Sequence, residues 1–197
     1  PSNIELSGFE VRLINASVLQ IQNYVQTLIE VTKSQEGISQ TPVNVNVYDV
    51  LADIKKQTLG LSEVYQHQIN WKEELESENS DSVISVVYGH VVRAVMNVVG
   101  NAAEYTPKGS VINITVTYSD GELAFTVEDS GSGFTPEGLA HGTEQFFMDD
   151  SSRTGGSHYG IGLFFAKKVA EEHGGKIVLA NSNETSGAKV EISFTSQ

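Results

Sequence analysis

The most informative segment of this 197-residue sequence reads Asn97-Val98-Val99-Gly100-Asn101-Ala102-Ala103-Glu104-Tyr105. It closes an apolar run at about residues 88–104, whose length predicts a buried helix. On such a helix the valines form a core stripe, whereas Asn97 and Asn101 lie one turn apart on a second stripe. Because both amides need hydrogen-bond partners, they indicate a ligand site on that face. A solvated face is the alternative interpretation.

A hairpin follows this helix and ends in a carboxylate. Apolar residues alternate over residues 112–127 around the turn Ser119-Asp120-Gly121. The same parity turns Asp129 toward the apolar face, where a carboxylate is costly unless it accepts hydrogen bonds. Gly131 and Gly133 follow and permit a close backbone approach to a ligand. The alternative is a turn that binds nothing.

A third motif is the glycine-dense run Gly155-Gly156-Ser157-His158-Tyr159-Gly160-Ile161-Gly162-Leu163. It leads into a helix predicted at about residues 160–173, and free N–H groups at a helix N-terminus favour anions such as phosphates. The loop at about residues 131–159 is long for a simple connection, which favours a mobile lid that covers a ligand, and a disordered surface loop is the alternative. The P-loop and dinucleotide-binding fingerprints are absent in their required contexts, so a phosphate site would need another architecture.

The remaining pattern predicts the fold class. Residues 43–47 and 68–75 alternate as strands, a helical stripe covers residues 50–61, and closing strands lie near residues 177–179 and 190–194. This order predicts an α+β fold, a two-layer α/β sandwich in which helices cover one face of a mixed sheet.

The N-terminal region follows a heptad pattern. The stripe, spaced alternately by three and four, consists of Ile4, Ser7, Val11, Ile14, Val18, Ile21, Val25, Leu28 and Thr32. A single helix cannot bury this stripe on itself, so we expect a long helix of a helical bundle, with partners outside this sequence. An ordinary helix packed on the following domain is the alternative. Gly37 and Pro42 indicate a linker, so the predicted division is residues 1–36, linker 37–42 and domain 43–197.

Composition excludes several kinds of protein. The sequence has 25 acidic residues against 12 basic ones, a net charge of -13 and no cysteine. A disulfide scaffold, a thiolate zinc site and a cysteine nucleophile are therefore excluded. The negative charge, without a Lys/Arg cluster, argues against nucleic acid and anionic membrane surfaces as partners. No apolar run approaches the roughly 18 residues of a membrane span, so we expect this piece to be soluble.

Together the three motifs resemble the histidine-kinase branch of the ATPase superfamily that includes Hsp90, type II topoisomerases and MutL, with its Bergerat or GHKL-type fold. The resemblance covers about residues 41–194. The matching segments are residues 97–107 for the N box, Asp129-Ser130-Gly131-Ser132-Gly133 for the G1 box, Glu144-Gln145-Phe146-Phe147 for the F box and Gly160-Ile161-Gly162-Leu163 for the end of the G2 box. Ser152-Arg153 falls where the family often has a Ser-Arg pair.

This resemblance implies a site for ATP and Mg²⁺. Asn101 would coordinate the Mg²⁺ that bridges the phosphates, Asn97 would assist around the phosphates, and Arg153 would reach the terminal phosphates. Asp129 would accept from the exocyclic amine of adenine, on which Tyr105 would pack. The other ATP-binding residues that the resemblance implies are Gly131, Gly133, Phe134, Gly160, Ile161, Gly162 and Leu163.

The function implied is that of the catalytic ATP-binding domain of a two-component sensor histidine kinase. It would transfer the γ-phosphate to a histidine upstream of this sequence, for relay to an aspartate of a response regulator. Residues 28–37 are similar to the second helix of the family's dimerisation and phosphotransfer domain. This implies a homodimer through the N-terminal helix and a cytoplasmic location in a membrane-anchored kinase. No histidine precedes His67, so no phosphoacceptor is assigned within the sequence.

Two positions depart from the family pattern. Glu104 stands where many members have lysine, and His158 replaces the first glycine of the commoner G2 box. We expect Mg²⁺-dependent nucleotide binding of micromolar to millimolar affinity, because a lid must be ordered on binding. The alternatives are a GHKL-type ATPase of another branch, which would need a glutamate base where this sequence has Arg93, and a degenerate kinase acting as a dimeric interaction module.

Overall fold

The computed structural model describes residues 41–76, 82–148 and 160–196, together with Val18 and Val25. The chain divides into two compact units, Pro1–Ile38 and Ser39–Gln197. The predicted bundle helix lies outside the described residues except for Val18 and Val25, which are both helical. The bundle helix and the linker after it stay predictions.

Seven strands and four helices make up the described part of the second unit. In chain order they are β1 (Val43–Asn46), α1 (Val47–Tyr65), β2 (Gln68–Leu75), β3 (Val83–Val86), α2 (Tyr88–Tyr105), β4 (Val111–Ser119), β5 (Glu122–Glu128), α3 (Pro136–His141), α4 (Gly162–Glu172), β6 (Ile177–Asn181) and β7 (Ala188–Thr195).

Five of the strands form one mixed sheet in the order β2-β4-β5-β7-β6. β2 runs parallel to β4, with Gln68 opposite Val111, whereas the other neighbouring strands are antiparallel. β1 pairs with β3 in a separate two-stranded antiparallel sheet, with Val43 opposite Val86. The predicted mixed sheet is confirmed. The structure also contains the separate two-stranded sheet, whose strand β3 was not predicted.

The core lies between one face of the five-stranded sheet and the helices α2 and α4. Alternate residues of the central strands point into it, among them Ile114, Phe125 and Phe194, each 0% exposed. The valine stripe of α2 is buried as well, with Val91 and Val95 at 0%. Each such side chain contributes about 1.5–3 kcal/mol of stabilisation when it leaves water. The strand and helix periodicities therefore determine which face of each element points inward.

The longest described helix, α1, has 19 residues and is amphipathic. Val50 and Ile54 are buried on one side, whereas Lys56 and Gln57 are exposed on the other. Within the parts of the chain that the structure describes, no helix combines the length and the apolar character needed to cross a membrane.

The region after β5 differs from the prediction of one long loop. It contains α3, which begins at Pro136 and is capped by Thr135, whose Oγ1 accepts a hydrogen bond from the Gly138 N–H at 2.9 Å. Residues 149–159 lie outside the described residues. α4 begins at Gly162, two residues later than predicted, because Gly160 has a left-handed backbone with φ +63° and cannot continue a helix.

Candidate functional site

Helix α2 carries Asn97 against the first residue of α4. A Cβ added at Gly162 would lie 3.7 Å from Asn97 Cβ and 3.8 Å from Asn97 Oδ1, which is ordinary contact distance. Asn97 Nδ2 is buried and has no hydrogen-bond partner among the described residues. A buried donor in this condition costs about 1–3 kcal/mol. An acceptor oxygen supplied by a ligand would remove that cost.

The part of α2 after Asn97 is partly open to solvent on this face. Asn101, one turn after Asn97, is half-buried, and Tyr105 at the end of the helix is 45% exposed. Their neighbours Val98 and Ala102 are 1% and 5% exposed and face the core. The apolar stripe of the helix therefore faces the core as the sequence predicts, whereas Asn101 and Tyr105 are accessible and the amide nitrogen of Asn97 is buried.

Asp129 follows the last residue of β5 and is only 4% exposed, in agreement with the inward direction that strand parity predicts. Its Oδ1 accepts hydrogen bonds from the Gly131 N–H at 2.7 Å and from the Ala188 N–H at 3.0 Å. Burial raises the pKa of this carboxyl, and the two backbone N–H groups partly oppose the rise. Both donors reach Oδ1, so among the described residues no donor bonds Oδ2. That oxygen can accept from a ligand N–H group.

Gly131 brings the segment after Asp129 next to the end of α2. A Cβ at this position would lie 2.6 Å from the Tyr105 carbonyl oxygen, closer than a side chain can approach, and 3.0 Å from Asp129 Oδ1. Only glycine fits between these two groups. The end of the accessible stripe on α2 and the buried carboxylate are therefore neighbours.

The turn between β6 and β7 supplies contacts that the sequence did not reveal. Thr185 Oγ1 donates to the Asp129 carbonyl oxygen at 2.5 Å and accepts from the Gly187 N–H at 3.2 Å. The Asp129 N–H in turn donates to the Ala188 carbonyl oxygen at 2.9 Å. Asp129 lies more than fifty residues earlier in the chain than this turn, where no local pattern could point to the contact.

Gly160 joins the segment containing Phe146 to the start of α4, since its carbonyl oxygen accepts from the Phe146 N–H at 2.9 Å. Ile161 and Leu163 are 3% and 8% exposed, so their side chains belong to the core and only their backbone is available to a ligand. Among the described residues, no side chain caps the first turn of α4. Within that part of the chain, its N–H groups and the positive end of its dipole are therefore available to an anion.

Comparison with known proteins decides which family this arrangement represents. Residues 87–197 match the family model described as histidine kinase-, DNA gyrase B-, and HSP90-like ATPase. The chain belongs to this ATPase family. The prediction of an ATP-binding catalytic domain is confirmed by the match.

Among curated relatives of this ATPase-family chain, sensor histidine kinase SpaK of Bacillus subtilis is 30% identical over 173 residues. The nisin biosynthesis sensor protein NisK of Lactococcus lactis subsp. lactis is 28% identical over 180 residues. Each alignment covers 88% of this chain but only 37% and 38% of the respective relative. The chain therefore spans less than two fifths of the length of these sensor proteins.

Solved structures share the fold. The catalytic domain of histidine kinase ThkA superposes with a TM-score of 0.65 at 20% identity, covering 79% of this chain and 96% of that one. The mycobacterial sensor histidine kinase MprB gives a TM-score of 0.61 at 22% identity, covering 78% and 97%. Because these identities are low, the superpositions show a shared fold only. They confirm the predicted GHKL-type architecture.

Arg93 separates this ATPase-family chain from branches that would need an acid at that position. Its guanidinium lies over the Phe165 ring of α4, 5.6 Å from the ring centroid. The turn before Asn97 is thus occupied by a cation that packs on the neighbouring helix. Together with the sensor-kinase relatives, this favours the kinase interpretation over an ATPase of another branch.

Some predicted positions lie beyond the structure. Ser152, Arg153 and His158 fall outside the described residues, and Glu104 is half-buried on α2. The structure brings together Asn97 with Gly162, and Asp129 with Gly131 and the end of α2. The roles of these residues toward ATP stay predictions.

Proposed function

We propose that this chain is the ATP-binding catalytic portion of a two-component sensor histidine kinase. It transfers the γ-phosphate of ATP to a histidine on a segment that precedes this sequence. The observation that carries the proposal is that a hydrogen-bond acceptor and a hydrogen-bond donor lie near opposite ends of the C-terminal half of α2. A buried carboxylate with an available acceptor oxygen lies at one end, and a buried amide donor facing the uncapped start of α4 lies at the other.

The spacing of these ends suits a nucleotide. Asn97 and Tyr105 are eight residues apart on α2, which corresponds to about 12 Å along a helix. In the proposed complex Asp129 Oδ2 accepts from the exocyclic amine of adenine, and Tyr105 and Gly131 border the base. Asn97 Nδ2 and the N–H groups of α4 donate to phosphate oxygens. Arg153 would add a charge at the terminal phosphate.

A divalent cation fits the same arrangement. Mg²⁺ prefers oxygen ligands in octahedral geometry and is usually held by one or two protein groups together with substrate phosphates. Asn101 is half-buried one turn after Asn97, and we assign its Oδ1 to the ion. When bound, Mg²⁺ supplies neutralisation of phosphate charge. Asn97 complements it as a donor, since its Nδ2 is the amide atom that lacks a partner among the described residues.

In the proposed reaction this chain positions the triphosphate and stabilises its charge electrostatically. The attacking imidazole nitrogen forms the N–P bond while the bond from the γ-phosphorus to the bridging oxygen breaks, and ADP leaves. The displaced imidazole proton is taken up outside this chain. The residues assigned above hold the triphosphate still, orient the γ-phosphorus and disperse the charge of the leaving group.

The N-terminal region is proposed to contribute assembly. We assign residues 1–36 to the C-terminal part of a dimerisation and phosphotransfer helix, residues 37–42 to a linker and residues 43–197 to the catalytic domain. Val18 and Val25, one heptad apart, are 46% and 50% exposed, which supports a stripe that needs a partner helix. The proposed partners are a second copy of the full protein and a response regulator. The proposed location is the cytoplasmic side of a membrane-anchored kinase.

The test combines binding and transfer. Isothermal titration with a non-hydrolysable ATP analogue should give heat that depends on Mg²⁺. Addition of a separate polypeptide carrying the upstream histidine helix should give acid-labile phosphorylation of that helix. Asn101→Ala should abolish the transfer and keep the fold, whereas Asn70→Ala, on the edge strand β2, should leave it unchanged. Transfer that persists in Asn101→Ala would refute the metal assignment, and a lack of any nucleotide heat would refute the function.

A further inference from the structure

The side chain of Asn181 bridges both backbone polar groups of Phe134. Asn181 is the last residue of β6, and its Oδ1 accepts from the Phe134 N–H at 2.7 Å. Its Nδ2 donates to the Phe134 carbonyl oxygen at 3.0 Å. One amide thus pairs with a segment 47 residues earlier in the manner of a neighbouring strand.

The glycine before Phe134 is what lets this amide approach. Gly133 has a φ of +73°, and a Cβ there would lie 2.7 Å from Asn181 Oδ1. A side chain at residue 133 would therefore displace the Asn181 amide as well as strain the backbone. The left-handed glycine and the amide bridge depend on one another.

The bridge lies beside the contacts that hold Asp129. Asn181 is opposite Ala188 in the pairing of β6 with β7, and the Ala188 N–H donates to Asp129 Oδ1 at 3.0 Å. The segment 129–134 is consequently attached at both ends to one end of a single hairpin. Its start is held through Asp129 and its end through Phe134.

The chain beyond Phe134 also starts from this bridge. Thr135 caps α3, and a Cβ added at Gly142 would lie 2.9 Å from Leu179 Cδ1, which shows how closely the end of α3 rests on β6. The Phe146 N–H then reaches the Gly160 carbonyl oxygen. Asn181 therefore holds the chain at Phe134, between Asp129 and the start of α3.

We propose that Asn181 is a positioning residue for the nucleotide, one that holds residues 131–134 in the conformation that receives the base without itself touching the ligand. The inference rests on the proposed function of this segment. Asn181 is exposed, so its contribution lies in the two hydrogen bonds rather than in core packing. Loss of the bridge releases residues 131–134, and a ligand must then order them as it binds.

The test compares Asn181→Ala with Asn183→Ala, a matched control in the same turn. Asn183 is also exposed, and its side chain has no hydrogen bond within the described part of the chain. In Asn181→Ala we expect the Kd for a non-hydrolysable ATP analogue with Mg²⁺ to rise at least about tenfold, because both hydrogen bonds that order Phe134 are lost. Asn183→Ala should stay within about twofold of the unsubstituted chain.

Amide hydrogen exchange supplies a readout that general destabilisation would not reproduce. The Phe134 N–H should lose protection in Asn181→Ala and keep it in Asn183→Ala. Asn181→Asp retains an acceptor for that N–H but no donor for the Phe134 carbonyl. This variant should keep the protection and recover part of the affinity.

The outcomes separate this inference from the proposed function. If Asn181→Ala binds the analogue as tightly as the unsubstituted chain while Asn101→Ala does not bind it, the positioning role is wrong and the function stands. The same holds if the affinity falls equally in both turn variants. If the unsubstituted chain binds no nucleotide, both ideas fail together.

Discussion

His173 Nε2 accepts a hydrogen bond from the Val87 backbone N–H at 2.9 Å, and its Nδ1 donates to the Val169 carbonyl oxygen at 2.7 Å. His173 immediately follows α4 as its C-cap residue, and Val87 immediately precedes α2, so one imidazole joins the two helices that carry the candidate site. The ring is 2% exposed, and its two partners require a neutral imidazole with the proton on Nδ1. Among the described residues no side chain of the N-cap type closes the start of α2, and this ring nitrogen accepts from the N–H of Val87, the residue before the helix.

Replacing His173 should therefore destabilise the domain. His173→Ala leaves the Val87 N–H without its acceptor and opens a cavity against Phe194, so we expect a loss of about 2–4 kcal/mol in the free energy of unfolding. Denaturant titration followed by circular dichroism measures it. His141→Ala is the matched control, since His141 is an exposed histidine paired with Glu144, and it should cost less than about 0.5 kcal/mol. Equal losses in the two variants would mean that His173 does not join the helices.

Asp129→Asn tests the acceptor role while keeping the shape. An asparagine oxygen can still accept from the Gly131 and Ala188 N–H groups, but its NH₂ replaces the oxygen offered to the base. We expect the affinity for an adenine nucleotide to fall by about tenfold or more, because a donor would face a donor. Titration calorimetry measures it, with Asp120→Asn in the exposed β4–β5 turn as control. Unchanged binding in Asp129→Asn would remove this carboxylate from the site.

The raised pKa of Asp129 predicts a sign for the pH dependence of stability. A carboxyl that binds its proton more tightly in the folded state than in the unfolded state loses stability as pH rises. The loss begins at the ordinary aspartate pKa and is complete above the raised one. Asp129→Asn lacks this loss, so its stability relative to the unsubstituted chain should increase with pH across that interval. Denaturation at a series of pH values checks this, and a relative stability that decreases with pH would contradict it.

Gly131→Ala should separate the end of α2 from the Asp129 segment. The new methyl group would lie 2.6 Å from the Tyr105 carbonyl oxygen, so the backbone must move, at a cost of about 1–3 kcal/mol. Nucleotide affinity should fall with it. Gly60→Ala is the control, because a Cβ at this exposed position in α1 meets nothing within 4 Å. That variant should gain about 0.5–1 kcal/mol from helix propensity. Thermal unfolding and calorimetry on both variants distinguish the two outcomes.

Local patterns predicted most of the elements because their periods are local properties. The strand at Gln68–Leu75 was placed to the residue, and α2 extends only one residue past its predicted end. Four-residue β3 was missed because its sequence VISV does not alternate between apolar and polar residues, and its partner β1, which does alternate, lies some forty residues earlier. Helix α3 carried the signal of a threonine cap followed by proline, which a closer reading of the loop could have found.

The residues of the candidate site likewise fall into those that local patterns predicted and those that they did not. Helical spacing and strand parity were sufficient to single out the two asparagines and Asp129, because each depends on its own element. Asn181 and Thr185 were not identified, because their partners lie 47 and 56 residues away. Which turn meets which loop is determined by the order of the strands in the sheet, and that order is not a property of any single segment.

The two donors to Asp129 Oδ1 differ greatly in their distance along the chain. Gly131 is two residues away, whereas Ala188 is 59 residues away and arrives only when β5 and β7 have paired. Chain closure over such a separation carries a larger entropy cost than a local turn, so we expect this contact to form late in folding. A ligand that requires the completed carboxylate binds the fully folded chain in preference to partly folded forms. By mass action it would raise the melting temperature in proportion to the logarithm of its concentration, so the cell's nucleotide pool would act as a folding cofactor for this domain.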